Sequence, residues 1–346
     1  MRRRAVAVAA AALLGAASAW CDTTVTDATG RTLQVPATIG KVYAAGPPAS
    51  VFVLALAPGK LAGWTRALRP DEVPFLPPEV ARLPELGRLT RRGNTANVEV
   101  VMAAKPDLIV DIGATNATYV SLAERVQATT GVPYLLFDGR LRDTARLLRE
   151  LGAAIGERAA GEVLARDVEG SLARIDAKVA AIPMEKRPRV FYARGPNGLA
   201  TAPRGSLQAE VFEIAGARNV AEPPPGFAAN LFTVSIEQVL RWQPDVIVTL
   251  DPAFAAQVRT RAEWQAVPAV RDRRVYVAPE LPFGWVDAPP ALNRLLGVEW
   301  LVRILHPDAF PEPLGPRIRE FHRLFYHRTP TDEQVAALVK SAGLVR

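Results

Sequence analysis

Short apolar runs bounded by turn signals alternate along this chain with stretches of helical period. Asp22 to Val35 alternates polar and β-branched residues around Thr29-Gly30, which predicts an edge hairpin. Lys41 to Ala45 reads as a short strand, leading through Gly46-Pro47-Pro48-Ala49-Ser50 into a helix over Val51 to Leu56. Leu61 to Trp64 predicts a further strand, and the proline-rich stretch Pro70 to Pro84 resists regular structure. A strand at Leu108 to Ile112, a helix at Tyr119 to Thr130, a strand at Pro133 to Phe137 and a helix at Leu141 to Ile155 follow. Strands alternating with helices predict a largely parallel sheet.

One pattern occurs twice. Asn97 to Gly113 reads NVEVVMAAKPDLIVDIG, and Ser235 to Asp251, 138 residues later, reads SIEQVLRWQPDVIVTLD. Glu99 aligns with Glu237, Pro106 with Pro244 and Asp107 with Asp245. Each copy joins a short amphipathic helix start through a Pro-Asp turn to an apolar run suited to a buried parallel strand. Such a turn is common, so either copy alone says little. Two copies in halves of similar length predict two similar lobes, and a cleft between lobes is where a small ligand sits.

Between the halves, Ala159 to Ile182 runs almost without breakers, with Val163, Leu164, Val168, Leu172, Ile175 and Val179 on one stripe. As a helix it spans about 36 Å, a stiff connection. The second half repeats the alternation with strands at Arg189 to Tyr192, Val246 to Leu250 and Val275 to Val277. A helix over Ala291 to Leu305 follows Pro289-Pro290. A helical tail begins at Pro316, within which Thr331-Asp332-Glu333-Gln334 reads as an N-cap. The fold class is α/β with two lobes: residues 22–157, a connecting helix over residues 158–183, and residues 188–346 with the tail.

The start of the chain stands apart. Arg2, Arg3 and Arg4 precede a small apolar run, Ala5 to Ala17, and Ala17-Ser18-Ala19 offers an A-x-A cleavage site. Residues 1–19 therefore read as a secretory signal peptide, the run being too short to span a bilayer comfortably. Cys21 is the only cysteine, so no intramolecular disulfide is possible. A lipid-attachment signal wants a small residue before the cysteine, and Trp20 stands there. Soluble periplasmic export is the expectation, with a lipoprotein anchored at Cys21 as the alternative. The formal charge of +7 becomes +4 without the three leading arginines. The remaining basic residues are scattered, and no basic stripe with interleaved aromatics points to nucleic acid. A hydrophobic content of 49% in 346 residues is enough to bury one large core or two moderate ones.

Catalytic chemistry is thin, and no enzyme activity is expected. His306, His322 and His327, all C-terminal, read as surface residues, and the last two miss the i, i+4 spacing of a helical zinc site. No phosphate-binding loop, nucleophile elbow or dinucleotide fingerprint occurs, and no cofactor or metal-ligand set is expected. Ligand-holding candidates lie on loops after strands, where open α/β sheets place ligands. These loops include Gly46 to Ser50, Arg88 to Asn94, Asp111 to Tyr119, Thr201 to Leu207 and Pro282 to Asp287. Ser50 closes the first of them. Arg91, Arg92, Arg194 and Arg204 suit an anionic ligand, because a guanidinium fork grips carboxylates and oxyanions at two points. Phe283 and Trp285 suit stacking on a planar or apolar ligand, against the alternative that Trp285 packs under the following helix. Tyr192 is either a phenolate ligand to ferric iron or a core residue. Glu99 and Glu237 each begin a helix, where the dipole favours a carboxylate. As a matched pair they also present two negative points to a two-fold partner with arginine pockets.

The repeat, the segment GSLQAEVFEIAGARNVAE at Gly205 to Glu222 and the stretch GWVDAPPALNRLLGVEWLVRILHP at Gly284 to Pro307 together resemble one family. It is the iron-complex and cobalamin class (class III) of ABC-transporter periplasmic substrate-binding proteins, and the resemblance runs from about Val25 to Pro307. It implies two Rossmann-like α/β lobes with central, mostly parallel sheets, joined by a single long rigid α-helix, with limited hinge motion and ligand capture in the cleft. It implies that Glu99 and Glu237 salt-bridge to arginines of a dimeric inner-membrane permease, the receptor itself being a monomer. A ferric siderophore or similar anionic chelate is the ligand expected first. Molybdate or tungstate, haem and cobalamin are alternatives within the class. A cofactor-assembly protein on a similar fold, or a structural envelope protein with an empty cleft, is the rival outside it. The cleft loops contain no histidine, which counts against histidine-ligated haem, while Tyr192 leaves a tyrosine-ligated mode open.

Overall fold

Alternating side chains on two parallel sheets sort the core of this protein into a shared centre and two outer layers. The computed structural model describes residues 23–90, 98–223 and 231–344. The expected signal peptide, Cys21, Arg91 and Arg92 lie outside the described residues. The chain opens with the antiparallel hairpin β1 (Thr23–Thr26) and β2 (Thr32–Val35). The first lobe then builds a parallel sheet from β3 (Val42–Ala44), β4 (Leu108–Gly113) and β5 (Tyr134–Asp138), in that order. The second lobe contributes β6 (Arg189–Ala193), β7 (Ala200–Thr201), β8 (Arg218–Asn219), β9 (Phe232–Thr233), β10 (Val246–Thr249) and β11 (Val275–Val277). Of these, β7 and β9 form a small antiparallel pair, and the others a parallel sheet of order β11-β10-β6-β8.

In β4, Leu108, Val110 and Ile112 enter the central core, while Ile109 faces outward with Val101, Val126 and Tyr134. In β10, Val246 and Val248 point inward, and Ile247 packs outward with Val239, Phe254 and Trp264. Side chains on successive strand residues go to opposite faces, so a strand covered on both sides needs an unbroken apolar run. That requirement is what the two LIV and VIV runs meet. In both copies of the repeat the residue before the proline ends its helix in the left-handed region, Lys105 and Gln243 each having φ of 47°.

A single helix, Arg158–Ala180, joins the lobes; its 23 residues correspond to about 34 Å. Leu164, Val168, Leu172, Ile175 and Val179 enter the central core, whereas Val163, expected on the same stripe, is 58% exposed. The helix lies close along Thr144–Ala154, and a Cβ on Gly161 would stand 2.5 Å from the Leu148 carbonyl oxygen. The tail is tied back to it: Arg317, in helix Gly315–Phe325, pairs with Asp167 at 2.6 Å. Phe321, Phe325 and Leu338 carry the tail into the same central core.

Three local expectations change. Leu61 to Trp64 forms no strand; Leu61 makes an isolated bridge to Val42, and Trp64 one to Glu85. The proline-rich stretch contains a 3-10 turn at Val73–Phe75 and a helix at Pro78–Ala81, because proline is tolerated in a first helical turn, where its missing N–H is not needed. His306 and His322 are buried rather than on the surface. Among the described residues no helix is long and apolar enough to cross a membrane.

Candidate functional site

The carboxyl ends of β4 and β5 meet the turn Gly205–Gln208 of the second lobe around a cavity of about 350 Å³. This is the position at which parallel sheets place ligands. The first lobe lines it with Thr90, Asp111, Thr115, Asn116, Tyr119 and the pair Asp138 and Arg140; the second supplies Ser206, Leu207, Gln208 and Pro290. Local folding explains these placements. Asn116 caps the 14-residue helix Ala117–Thr130, its side-chain oxygen accepting from the Thr118 N–H at 3.1 Å. The positive end of that helix therefore opens onto the cavity. Across the gap, the Ser206 N–H bonds to the Pro203 carbonyl at 3.1 Å, a tight turn that precedes helix Glu210–Ile214 and brings Ser206 and Gln208 to the wall.

The polar lining is mostly neutral. Hydroxyls come from Thr90, Thr115, Tyr119 and Ser206, and amides from Asn116 and Gln208. The Ser206 hydroxyl and the Gln208 amide oxygen have no partner within the protein, although Gln208 is only 6% exposed. Arg140 is the cation among the described lining residues, and its guanidinium lies 3.9 Å from the Asp138 carboxylate. Asp111 is buried and accepts the Ile112 N–H at 3.0 Å. Among the described residues no group of three or more His, Cys, Asp or Glu side chains is placed to hold a metal ion. The arrangement is suited to holding a small polar solute by many short hydrogen bonds.

The side chains singled out from the sequence go elsewhere. Ser50 is buried, and its hydroxyl donates to the Pro47 carbonyl at 2.8 Å. Tyr192 is fully buried under the Arg194 guanidinium and donates to Asp287 at 3.2 Å. Burial pushes its phenol well above the usual range, the reverse of what a phenolate ligand requires. Arg194 is ion-paired with the same Asp287. Arg204 pairs with Glu222 at 2.9 Å beside the cavity-lining Gly205. Phe283 packs against Trp64 and Tyr326, with ring centroids 5.9 and 5.5 Å away. Trp285 has no exposed surface and donates to the Leu281 carbonyl at 3.2 Å. Helix Arg294–Leu305 crosses it so closely that a Cβ on Gly297 would stand 1.8 Å from the Trp285 carbonyl oxygen. Trp285 thus takes the packing position weighed as the alternative. Glu99 and Glu237 are exposed in the first turns of helices Val98–Ala104 and Ile236–Trp242. Hydrogen bonding to Ser235 holds the Glu237 carboxyl below its usual range.

Four of the loops read as ligand-bearing reach the cavity: Gly46 to Ser50 through Pro48, Arg88 to Asn94 through Thr90, and Asp111 to Tyr119 and Thr201 to Leu207 through several residues each. Apart from Asp111 and Tyr119, the residues they contribute are uncharged and mostly small, and nothing in their chemistry separated them from ordinary turn formers. Gln208 lay one residue past the loop.

A model of the family described as periplasmic binding protein matches residues 77–281. Molybdate-binding protein MolA of Haemophilus influenzae is 25% identical over 303 residues, spanning 80% of this chain and 82% of that protein. Vitamin B12-binding protein of Vibrio parahaemolyticus is 28% identical over 220 residues, spanning 62% of this chain and 75% of that protein. Among solved structures, an ABC transporter solute binding protein from Sulfurospirillum deleyianum superposes with a TM-score of 0.83. It is 27% identical and covers 92% of this chain and 99% of its own.

Proposed function

The chain belongs to the periplasmic binding protein family, and from that premise we propose that it is the solute receptor of an ABC importer whose interlobe cavity takes a compact oxyanion of the molybdate or tungstate class. The observation that carries this reading is the cavity itself: about 350 Å³, walled mainly by hydroxyls, amides and a helix N-terminus beside the carboxylates of Asp111 and Asp138, with Tyr119 its one aromatic among the described lining residues. That volume is near the lower end for small-molecule sites. The ferric siderophore expected first from the sequence leaned on Phe283 and Trp285 for stacking, and both are committed to the core. Neutral donors and the positive end of a helix suit a small anion, as they do phosphate in other folds. Arg140 offsets the neighbouring Asp138 carboxylate, and Arg91 and Arg92, which follow the cavity-lining Thr90 in the chain, are proposed to supply the positive charge that an anion needs. The name of the relative from Haemophilus influenzae agrees with this class.

A small ferric chelate is the second reading, favoured by the acceptors Asp111, Asp138 and the Gln208 amide oxygen, which suit a ligand carrying hydroxyl or amine hydrogens. Glu99 and Glu237 are proposed as the contacts to the permease, one on each lobe. Thermal melting of the purified protein against sodium molybdate, sodium tungstate, sodium sulfate and ferric hydroxamate separates these readings. A ligand at about 100 times its Kd stabilises the fold by about 2.7 kcal/mol. Molybdate and tungstate should raise the Tm. A rise with the ferric chelate and none with either oxyanion would transfer the assignment to the chelate.

A further inference from the structure

Arg294 begins helix Arg294–Leu305 with no exposed surface, an uncommon place for a guanidinium. Each of its three guanidinium nitrogens donates. Its Nε donates to the Ala291 carbonyl at 3.1 Å, and one terminal nitrogen donates to the Leu207 carbonyl at 2.9 Å and to the Glu210 carboxylate. The other terminal nitrogen crosses to the first lobe and donates to the Gly139 carbonyl at 2.5 Å. Glu210 makes a second crossing, accepting the Leu141 N–H at 2.7 Å. Burial pushes the Glu210 carboxyl up, against the pull of Arg294.

These acceptors are not scattered. Gly139 lies between Asp138 and Arg140, which line the cavity on one side, and Leu207 lines it on the other. The walls are in close contact there as well: a Cβ on Gly139 would stand 2.8 Å from Gly113 Cα and 3.3 Å from a Leu207 methyl. A buried ion pair is a poor device for stability alone, since apolar replacements of equal volume often do as well. What a planar five-donor group does that an apolar side chain cannot is hold two carbonyls at one fixed spacing.

We infer that Arg294, supported by Glu210, is the positioning residue of the ligand cavity and sets the separation of its two walls. This rests on the reading of that cavity as the solute site. Lysine at 294 keeps the charge but presents a single nitrogen on a flexible stem, so it cannot reproduce the fixed spacing that two guanidinium nitrogens set between the Gly139 and Leu207 carbonyls. The test uses the full chain carrying C21S, with spin labels at E124C and E263C, exposed positions on the first and second lobes. Interlobe distance distributions and calorimetric titration with sodium molybdate are compared for wild type, E210Q and R294K. R294K should broaden the distance distribution and weaken molybdate about tenfold, with E210Q between it and wild type. If R294K does not melt cooperatively, the R294Q/E210Q pair, which leaves no unpaired buried charge, takes its place with the same expectation. A folded variant with wild-type distances and wild-type affinity overturns the inference. Should the wild type bind no molybdate, the proposed ligand fails, while the distance distributions still decide the role of Arg294.

Discussion

Asp245 accepts the main-chain N–H of Arg189 at 2.8 Å and grips the guanidinium of the same residue at 3.1 and 2.8 Å. Asp107 does the main-chain half of this in the first lobe, accepting the N–H groups of Gly40 and Lys41 at 2.8 Å each. The return bonds match too, from the Asp107 N–H to the Lys41 carbonyl at 2.9 Å and from the Asp245 N–H to the Arg189 carbonyl at 2.8 Å. The aspartate of each duplicated Pro-Asp turn thereby ties its strand to the residue that enters or precedes the neighbouring parallel strand. Burial pushes the Asp245 carboxyl up, but the hydrogen bonds and charge of Arg189 outweigh it and hold it below the usual range.

Replacing either aspartate by alanine strands main-chain donors at the start of a parallel strand. Asp107→Ala and Asp245→Ala should each lower the unfolding free energy by about 1–2 kcal/mol in urea denaturation. Unchanged midpoints in both would show that these turns hold without their carboxylates.

Trp285 fills the space beneath helix Arg294–Leu305 and makes no part of the cavity wall. Trp285→Ala should cost about 3–5 kcal/mol of stability, as large-to-small core changes do. At a temperature where the variant is still folded, ligand affinity should change little by comparison. A variant of normal stability that has lost its ligand would put the indole back in the site.

His322 sits among Phe75, Phe321 and Tyr326, with neither ring nitrogen bonded within the protein. Burial pushes its pKa from 6.5 down to about 3. The unfolded chain therefore takes up a proton that the fold refuses. The stability this residue contributes is complete above the unfolded value and declines as the pH falls toward the folded one, by about 1.4 kcal/mol per pH unit. His306, also lowered by burial, adds to the same trend. His322→Phe should flatten the dependence of stability on pH between about pH 6 and pH 4.5, read from denaturation midpoints. Parallel curves for the two proteins would exclude His322 as the source.

Glu99 and Glu237 are exposed and do not line the cavity. Replacing both by alanine should leave ligand affinity within about twofold of wild type, because sites that share no partners behave independently. Transport in whole cells, or stimulation of the permease ATPase in liposomes, should fall steeply. Normal transport by the double variant would remove these glutamates from the docking contact.

The fold was legible in the sequence to the extent that periodicity decides it. Strands β4 and β10, the helix Arg158–Ala180 and the capping box at Thr331 and Gln334 all appear where period, apolar runs and turn chemistry predict them. The two-residue strands β7, β8 and β9 escaped notice because they are too short to show any period. Leu61 to Trp64 had strand composition but found only isolated bridging partners.

The site was legible only as a set of loops. Local patterning determined two α/β halves, a helical bridge and the loops at the strand ends, because these depend on residues near in sequence. Which side chains face the gap depends on groups far apart in the chain. Trp285 is claimed by a helix that crosses it, Tyr192 by Asp287 from a loop 95 residues away, and Arg294 by carbonyls 87 and 155 residues away. Aromatics and arginines drew attention as ligand chemistry, yet burial energy and ion pairing took most of those described into the structure. The polar lining of the cavity was left mainly to threonines, an asparagine, a glutamine and a serine, with Tyr119, Asp111, Asp138 and Arg140 beside them, and only the tertiary arrangement brings them together.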